Sequence, residues 1–409
     1  MDPKLRVGLK FPIYLDHHAT TPTDPRVAAA MEPYFTERFG NAASASHIFG
    51  WRAEAAVEEA RERLAAAIGA ADGREIVFTS GTTEADNLAL KGIARAYRSH
   101  RDHLITLKTE HPAVLESCAA LEKEGFRVTV LAVDRFGLVD PDDIRRAIGA
   151  RTGLVSVMAA NSEIGVLQPL EAIGRICRDR GVLFHTDAAQ AVGKIPIDVE
   201  ALGVDLLSMC AHKLYGPPGI GALYVRNRRP QIRIEPLFHG GGQERGFRSG
   251  SLSLPLIVGF AEAVDLCLGS LEEESARVQE LRDLLWARLQ EGLEDLQQNG
   301  HPDRRLPGNL NVAFAGVEAD ALIASLRDVA LSSGSACSSA SPEPSRVLRA
   351  LGLSDAWSRA SLRFGLGRWN TREEIEWVAE RLIALVRELR EKRRGGGPGP
   401  PSSPSNSKG

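Results

Sequence analysis

The stretch Val182-Leu183-Phe184-His185-Thr186-Asp187-Ala188-Ala189-Gln190, with its sequel Asp205-Leu206-Leu207-Ser208-Met209-Cys210-Ala211-His212-Lys213, decides the fold. Each half is a short apolar run that ends in polar residues able to do chemistry. A continuous apolar run of this length reads as a strand buried on both faces, and such strands belong to parallel sheets covered by helices. Working outward, the same kind of run recurs at Glu75-Ile76-Val77-Phe78-Thr79, Leu104-Ile105-Thr106-Leu107, Val128-Thr129-Val130-Leu131 and Leu154-Val155-Ser156-Val157-Met158. Helix-like segments such as Asp142 to Ile148 and Leu170 to Arg180 lie between them. Strands alternating with helices mean crossover units, so the expected class is α/β, a large domain with a mostly parallel sheet sandwiched by helices. Gly221-Ala222-Leu223-Tyr224-Val225 follows the turn Gly216-Pro217-Pro218-Gly219 and suits a hairpin-like edge better than another crossover.

After residue 255 the character changes. Residues 255–298 read as long helix, interrupted near Gly269-Ser270, and a strand-like piece runs from Leu310 to Phe314. The closing helix opens with a capping box, Thr371 with Glu374 three residues on, and carries an apolar face of Ile375, Val378, Leu382, Leu385, Val386 and Leu389. These features predict a large domain over residues 13–260 and a smaller α+β domain over 261–393, joined by residues 1–12. Residues 394–409 are Gly/Pro/Ser-rich and are expected to be a disordered tail.

Composition bounds the function. The 409 residues carry 50 Lys and Arg against 53 Asp and Glu, a formal charge of −3, so nucleic acid and anionic membrane are not expected partners. No apolar stretch approaches the ~20 residues that span a bilayer. The opening Met1-Asp2-Pro3-Lys4 has neither a signal-peptide apolar region nor an Arg/Ser-rich transit pattern, so a cytoplasmic address is expected. The five cysteines, Cys118, Cys177, Cys210, Cys267 and Cys337, form no C-x-x-C pair, which argues against a disulfide framework or a structural zinc site. His17 and His18 lack partners at metal-ligand spacing, so no metal is expected and a structural or substrate-proximal role suits them better. Arg226, Arg228, Arg229 and Arg233 read as a solvated face, because aromatics are not interleaved with them.

Ligands of open parallel sheets sit outside the carboxyl ends of the strands. Ser80-Gly81-Thr82-Thr83-Glu84, Glu110-His111-Pro112, Asn161-Ser162-Glu163, Asp187-Ala188-Ala189-Gln190 and His212-Lys213 all follow strands. One mouth therefore collects a Gly-hydroxyl helix start fit for a phosphate, a His, an Asp, a Gln and a Lys. Pyridoxal phosphate needs that set: a helix N-terminus for its phosphate, a carboxylate for its ring nitrogen, a lysine for its aldehyde and a flat side chain over its ring, which His111 supplies. Singly, each is also an ordinary cap, turn or surface charge; their occurrence on successive strands is what points to the cofactor.

The strings Tyr14-Leu15-Asp16-His17-His18-Ala19-Thr20-Thr21-Pro22, Thr79-Ser80-Gly81-Thr82-Thr83-Glu84, His185-Thr186-Asp187-Ala188-Ala189-Gln190, Ala211-His212-Lys213, Gly240-Gly241-Gly242-Gln243-Glu244-Arg245 and Ser333-Gly334-Ser335-Ala336-Cys337 resemble the cysteine desulfurases of the class V aminotransferase family, long-loop subgroup. The resemblance runs from about residue 13 to 390, with the motifs in family order. It implies a fold type I pyridoxal-phosphate enzyme and a homodimer. It further implies that Lys213 bonds the cofactor aldehyde, Asp187 meets the ring nitrogen, Gln190 meets the ring hydroxyl and His111 stacks on the ring as a candidate acid/base. Thr82, Thr83 and His212 are implied phosphate ligands, with Ser251 reaching the phosphate from the neighbouring subunit. Asn41 and Arg363 are implied at the substrate, Arg363 on its carboxylate. Two positions depart from the family pattern: Ser162 stands where Asn is usual beside the ring hydroxyl, and Cys210 where a phosphate-binding Ser is usual, a thiol being the weaker donor.

Cys337 separates desulfurase from transaminase. It sits in a Ser/Gly/Ala run too small and polar to be core, where an ordinary transaminase has no use for a nucleophile. The expected activity is conversion of L-cysteine to L-alanine, with the Cys337 thiolate taking the sulfur as a persulfide for iron–sulfur cluster or other sulfur-cofactor biosynthesis. An iron–sulfur scaffold is the expected kind of acceptor protein. A selenocysteine lyase would use nearly the same residues, and a cofactor-binding sulfur-relay scaffold of low activity is the alternative from a different class.

Overall fold

The computed structural model describes residues 8–333 and 343–395. Its large sheet has seven strands, in spatial order β2-β8-β7-β6-β5-β3-β4. They are β2 (Ile76–Thr79), β3 (His103–Leu107), β4 (Arg127–Leu131), β5 (Thr152–Ser156), β6 (Leu183–Asp187), β7 (Leu206–Cys210) and β8 (Gly221–Val225), β1 being Ile13–Tyr14. Strands β4, β3, β5, β6 and β7 pair in parallel, and β8 is antiparallel to both its neighbours. Every residue of β3, β5, β6, β7 and β8 is buried, whereas the edge strand β4 is not, which is why the inner runs carry few charged residues and β4 carries the exposed Arg127.

The hairpin β7–β8 is as the sequence suggests, but β8 is not at the edge. It lies between β7 and β2, and β2 takes the outer place. All of β8 is apolar or glycine, with no charge to blunt an edge, so an interior place follows. This arrangement brings β2 parallel to β7, and Thr79 and Cys210 both face Gly221 in the ladder. The carboxyl ends of β2, β7, β6, β5 and β3 thus open on one side.

A second unit packs beside that sheet. Strands β9 (Leu296–Gln298), β10 (Asn309–Phe314) and β12 (Ser361–Gly365) form an antiparallel sheet, and β11 (Val329–Ala330) pairs with β1. The helices Leu271–Gly292 and Arg372–Gly395 cover it, with Trp377 fully buried. The capping box is present: Glu374 N donates to Thr371 Oγ1 and Thr371 N to Glu374 Oε2, both at 3.2 Å.

The domain break needs correction. The helix Leu254–Gly269 buries Ile257, Phe260, Val264 and Cys267 in the core of the large sheet, so a division at 260/261 would cut it. The change of core comes at Gly269–Leu271, where the next helix turns away by 73°. Ile13 and Leu15 belong to the second core, not the first, because β1 pairs with β11. Arg394 and Gly395 continue the last helix, and the rest of the expected tail lies outside the described residues. Among the described residues no single helix is long and apolar enough to cross a membrane; the bent pair at 254–292 passes only as a pair, and the apolar residues of its first member are core.

Candidate active site

At the mouth of the sheet, β2 runs through Ser80-Gly81 into the helix Thr82–Tyr97. A Cβ on Gly221 would stand 2.6 Å from Gly81 Cα and 2.6 Å from Met209 O, so only glycine lets this turn settle against the ladder. The turn aims the first N–H groups of a 16-residue helix at the cleft, a fitting seat for a phosphate. Thr82 Oγ1 is buried there with no partner among the described residues beyond the weak contact of the Cys210 thiol, and Thr83 and His212 line the same cleft of about 860 Å³. Burial, and then Lys213, hold His212 down to about 4, so it is a neutral ring, with Nδ1 3.1 Å from Thr20 Oγ1.

Three groups converge on the floor. Asp187 ends β6, and its Oδ1 accepts from Ala189 N at 2.9 Å. Lys213 closes the single turn Ala211–Lys213 after β7. His111 caps the helix Pro112–Lys123, its Nδ1 accepting from Ala113 N at 3.1 Å. That bond uses the Nδ1 lone pair, so the neutral ring carries its proton on Nε2. Burial and Lys213 keep His111 below its ordinary range against the pull of Asp187.

Behind Asp187 stands Asp86, a residue the sequence reading passed over. Ligating atoms of Asp86, Asp187 and His111 lie within 4.8 Å of one another. Asp86 is fully buried, and burial, reinforced by Asp187, pushes it well above the usual carboxylate range. Two carboxyls this close do not both ionise readily, so Asp86 keeps its proton. The available signal was an acid one helical turn after Thr82, inside the otherwise apolar face Ala85, Leu88 and Ala89. His185 adds to this layer as a neutral ring, held down to about 3 by burial, with Ser156 Oγ at 2.8 Å and Ser208 Oγ at 2.9 Å.

The outer wall comes from the second unit. Arg363 on β12 donates from Nη2 to Asp16 Oδ1 at 2.7 Å and from Nη1 to Ser162 O at 3.1 Å, while its Nε has no partner among the described residues. Ser162 and Glu163 line the cleft beside it. Burial pushes Glu163 up to about 7, and its Oε2 accepts from Ser345 Oγ at 2.5 Å.

Not every expected residue reaches the cleft. Gln190 is buried next to the lining, bonded to His18, which lines the cleft, and to Lys194. Cys210 is buried beside Thr82, and burial raises its thiol, which stays protonated. Ser251 lines a smaller cavity of about 80 Å³ with Ser80, Gly219 and Arg248. Asn41 is exposed beside a separate groove with Arg61 and Glu244. Cys337 lies outside the described residues, but both flanks of its segment abut the cleft. Arg363 N donates to Ser332 O at 2.9 Å, and Glu343, Pro344 and Ser345 form part of the wall.

Pyridoxal phosphate fits these residues: a glycine-spaced helix start with a spare buried hydroxyl, a carboxylate on the floor, a lysine across from it and a neutral imidazole beside them. The class-V aminotransferase profile matches residues 13–378. The cysteine desulfurase IscS of Anaeromyxobacter sp. (strain Fw109-5) is 56% identical over 383 residues, 94% of each chain. Among solved structures, a NifS-like protein superposes with a TM-score of 0.85 at 34% identity, over 92% of this chain and 100% of the other. A structure titled SspA in complex with cysteine gives a TM-score of 0.77 at 39% identity, over 88% of this chain and 100% of the other. A profile match over most of the chain, and a relative this near along nearly its whole length, place the chain in the class-V aminotransferase family, among the pyridoxal-phosphate-dependent cysteine desulfurases.

Proposed function

We propose that Lys213, Arg363 and Cys337 divide the work of converting L-cysteine to L-alanine. When bound, pyridoxal phosphate supplies an electron sink that lets the substrate Cα–H bond ionise. Lys213 would hold the aldehyde, and its freed amine would take up and return the Cα proton. Asp187, with the protonated Asp86 behind it, would face the ring nitrogen. Arg363 has its Nε and remaining N–H groups free of the Asp16 and Ser162 contacts to grip the substrate carboxylate. The Cys337 thiolate attacks the substrate sulfur. An S–S bond forms as the C–S bond breaks, the thiol proton stays on the outer sulfur, the electron pair stays with carbon, and one proton at Cβ and the return of the Cα proton complete alanine. His111, neutral near pH 7 with its proton on Nε2, is placed to manage the Cβ proton.

The observation that carries this assignment is the position of the polypeptide on either side of Cys337. Ser332 is bonded to the strand of Arg363, and Glu343 to Ser345 line the cleft. The test is to quantify alanine and sulfide from cysteine with a thiol reductant, for wild type and Cys337→Ala, both loaded with cofactor. Equimolar products from wild type and their loss in the variant, with the yellow colour retained, are expected. Undiminished sulfide from Cys337→Ala would take the sulfur-carrying role away from Cys337.

A homodimer suits the same reading. Ser251 and Asn41 lie outside their own chain's cleft, and Phe35, Phe39, Phe49 and Trp51 are exposed, with Phe39 and Phe49 stacked at 5.2 Å. The acceptor we favour is an iron–sulfur scaffold protein, in the cytoplasm. The four described cysteines are all free and buried, as in a reducing compartment.

A further inference from the structure

Gln190 has its amide almost fully committed. Oε1 accepts from Lys194 Nζ at 3.0 Å and lies 3.0 Å from His18 Nδ1, while Nε2 donates to His18 O at 2.8 Å. An ammonium only donates and a carbonyl only accepts, so these two contacts fix which end of the amide is oxygen without appeal to the imidazole. His18 must then donate from Nδ1. Both lone pairs of Oε1 are occupied, and the one group Gln190 has left to offer is the second N–H on Nε2.

Lys194 occupies an unusual place for a lysine. It follows Gln190 by four residues in a turn in which Lys194 N donates to Ala191 O at 3.0 Å, and Ser275 Oγ holds Lys194 O at 3.1 Å. Its ammonium meets an amide oxygen rather than a carboxylate. The charged groups around it are Lys213 and Arg363, which repel it, with the thiols of Cys210 and Cys267 nearby. His17, His18 and Glu274 border a cavity of about 40 Å³ with it, and the Glu274 carboxylate is engaged by Arg368 Nε at 2.8 Å. Burial, with Lys213, holds Lys194 down to about 7. A lysine kept there at such a cost has no role yet in the chemistry.

We propose that Lys194 is a positioning residue for the cofactor: by occupying Gln190 Oε1 it leaves the amide only an N–H to present, which favours a ring hydroxyl that has lost its proton. This rests on the assignment of Gln190 to the ring hydroxyl. Removing Lys194 frees a lone pair on Oε1 and lets the amide accept from a protonated hydroxyl.

The test is a pH titration of the cofactor's visible absorbance in the loaded full-length protein, together with its dissociation constant by fluorescence; neither counts turnover. Lys194→Met is expected to move the absorbance midpoint up by about one unit and to weaken cofactor binding. Lys194→Arg, again a pure donor, restores most of the wild-type profile. Lys194→Gln, whose amide N–H can still occupy Oε1 without charge, is expected to hold the midpoint near that of wild type; if Lys194→Met fails to load, Lys194→Ala is read in its place. Gln190→Leu is expected to shift it as well, and adding Lys194→Met to Gln190→Leu to shift it no further. An unchanged midpoint in Lys194→Met beside a shifted one in Gln190→Leu overturns the role of Lys194 alone, as do shifts that add in full, since the lysine would then act as a bare charge. An unchanged midpoint in Gln190→Leu refutes the assignment of Gln190 itself.

Discussion

Replacing Glu163 by Gln should stabilise the protein at high pH and leave it unchanged at low pH. Burial raises Glu163 from its ordinary 4.5 to about 7. Below pH 4.5 the folded and unfolded chains both hold the proton, and the carboxyl costs nothing. Between 4.5 and 7 the folded chain keeps a proton that the unfolded chain has released, so stability falls as pH rises. Above 7 the group is ionised in both states, and the cost of burying the charge is complete. A shift of this size corresponds to roughly 3 kcal/mol, and partial exposure of the side chain reduces it to about 1.5–3 kcal/mol. Glutamine mimics the protonated acid, since its Oε1 can still accept from Ser345 Oγ, the partner now bonded to Glu163 Oε2. At about 2.1 cal/mol/K per residue, a chain of this length has an unfolding entropy of roughly 0.9 kcal/mol per degree. The variant should therefore melt about 2–3 °C above wild type at pH 8.5, with the gap closing toward pH 4.5. Thermal melts of the cofactor-loaded proteins across that range measure it. An equal gap at both ends, or a variant less stable at pH 8.5, would refute the reasoning.

Arg363→Gln removes the charged fork from the cleft wall and is expected to raise KM for cysteine about 10- to 100-fold, the worth of a charge-assisted hydrogen bond; steady-state kinetics with an unchanged KM would place the substrate carboxylate elsewhere. Glu244→Gln breaks a buried pair in which Arg61 Nη2 donates to Glu244 Oε1 and Nη1 to Oε2, each at 2.9 Å, while Phe78 N donates to Oε2 at 2.7 Å. Leaving the buried Arg61 with only the half-exposed Glu58, at 3.1 Å from its Nε, costs up to about 3–5 kcal/mol. Because Phe78 lies on the strand that feeds the phosphate seat, cofactor affinity should fall along with the melting temperature, and calorimetry with a cofactor titration reads both.

Much of the fold and of the candidate site was legible in residues near one another along the chain. The mainly apolar runs mark the strands because burial on both faces favours apolar side chains, and the capping box at Thr371 and Glu374 marks a helix start through groups three residues apart. The polar residues that follow each run could be placed in one cleft because parallel strands end on the same side. That holds for Thr82, His111, Asp187, His212 and Lys213, all of which line it. Gln190 belongs to the same set and is buried next to the lining, where packing commits its amide to His18 and Lys194.

What the sequence determined by itself was therefore the class of fold, the cofactor chemistry and the strand ends that serve it, since periodicity and turn residues act over a few positions. Tertiary structure alone decided that β8 lies inside the sheet, that the helix Leu254–Gly269 belongs to the first core, and that Ser251 and Asn41 lie outside their own chain's cleft. It also decided that Asp86 backs Asp187, that Lys194 holds the amide of Gln190, and that Glu163 meets Ser345 across 182 residues of chain. Each of these depends on desolvation or on the approach of groups from different elements, and the free energy of such contacts is set by distance in space, which spacing along the chain does not encode.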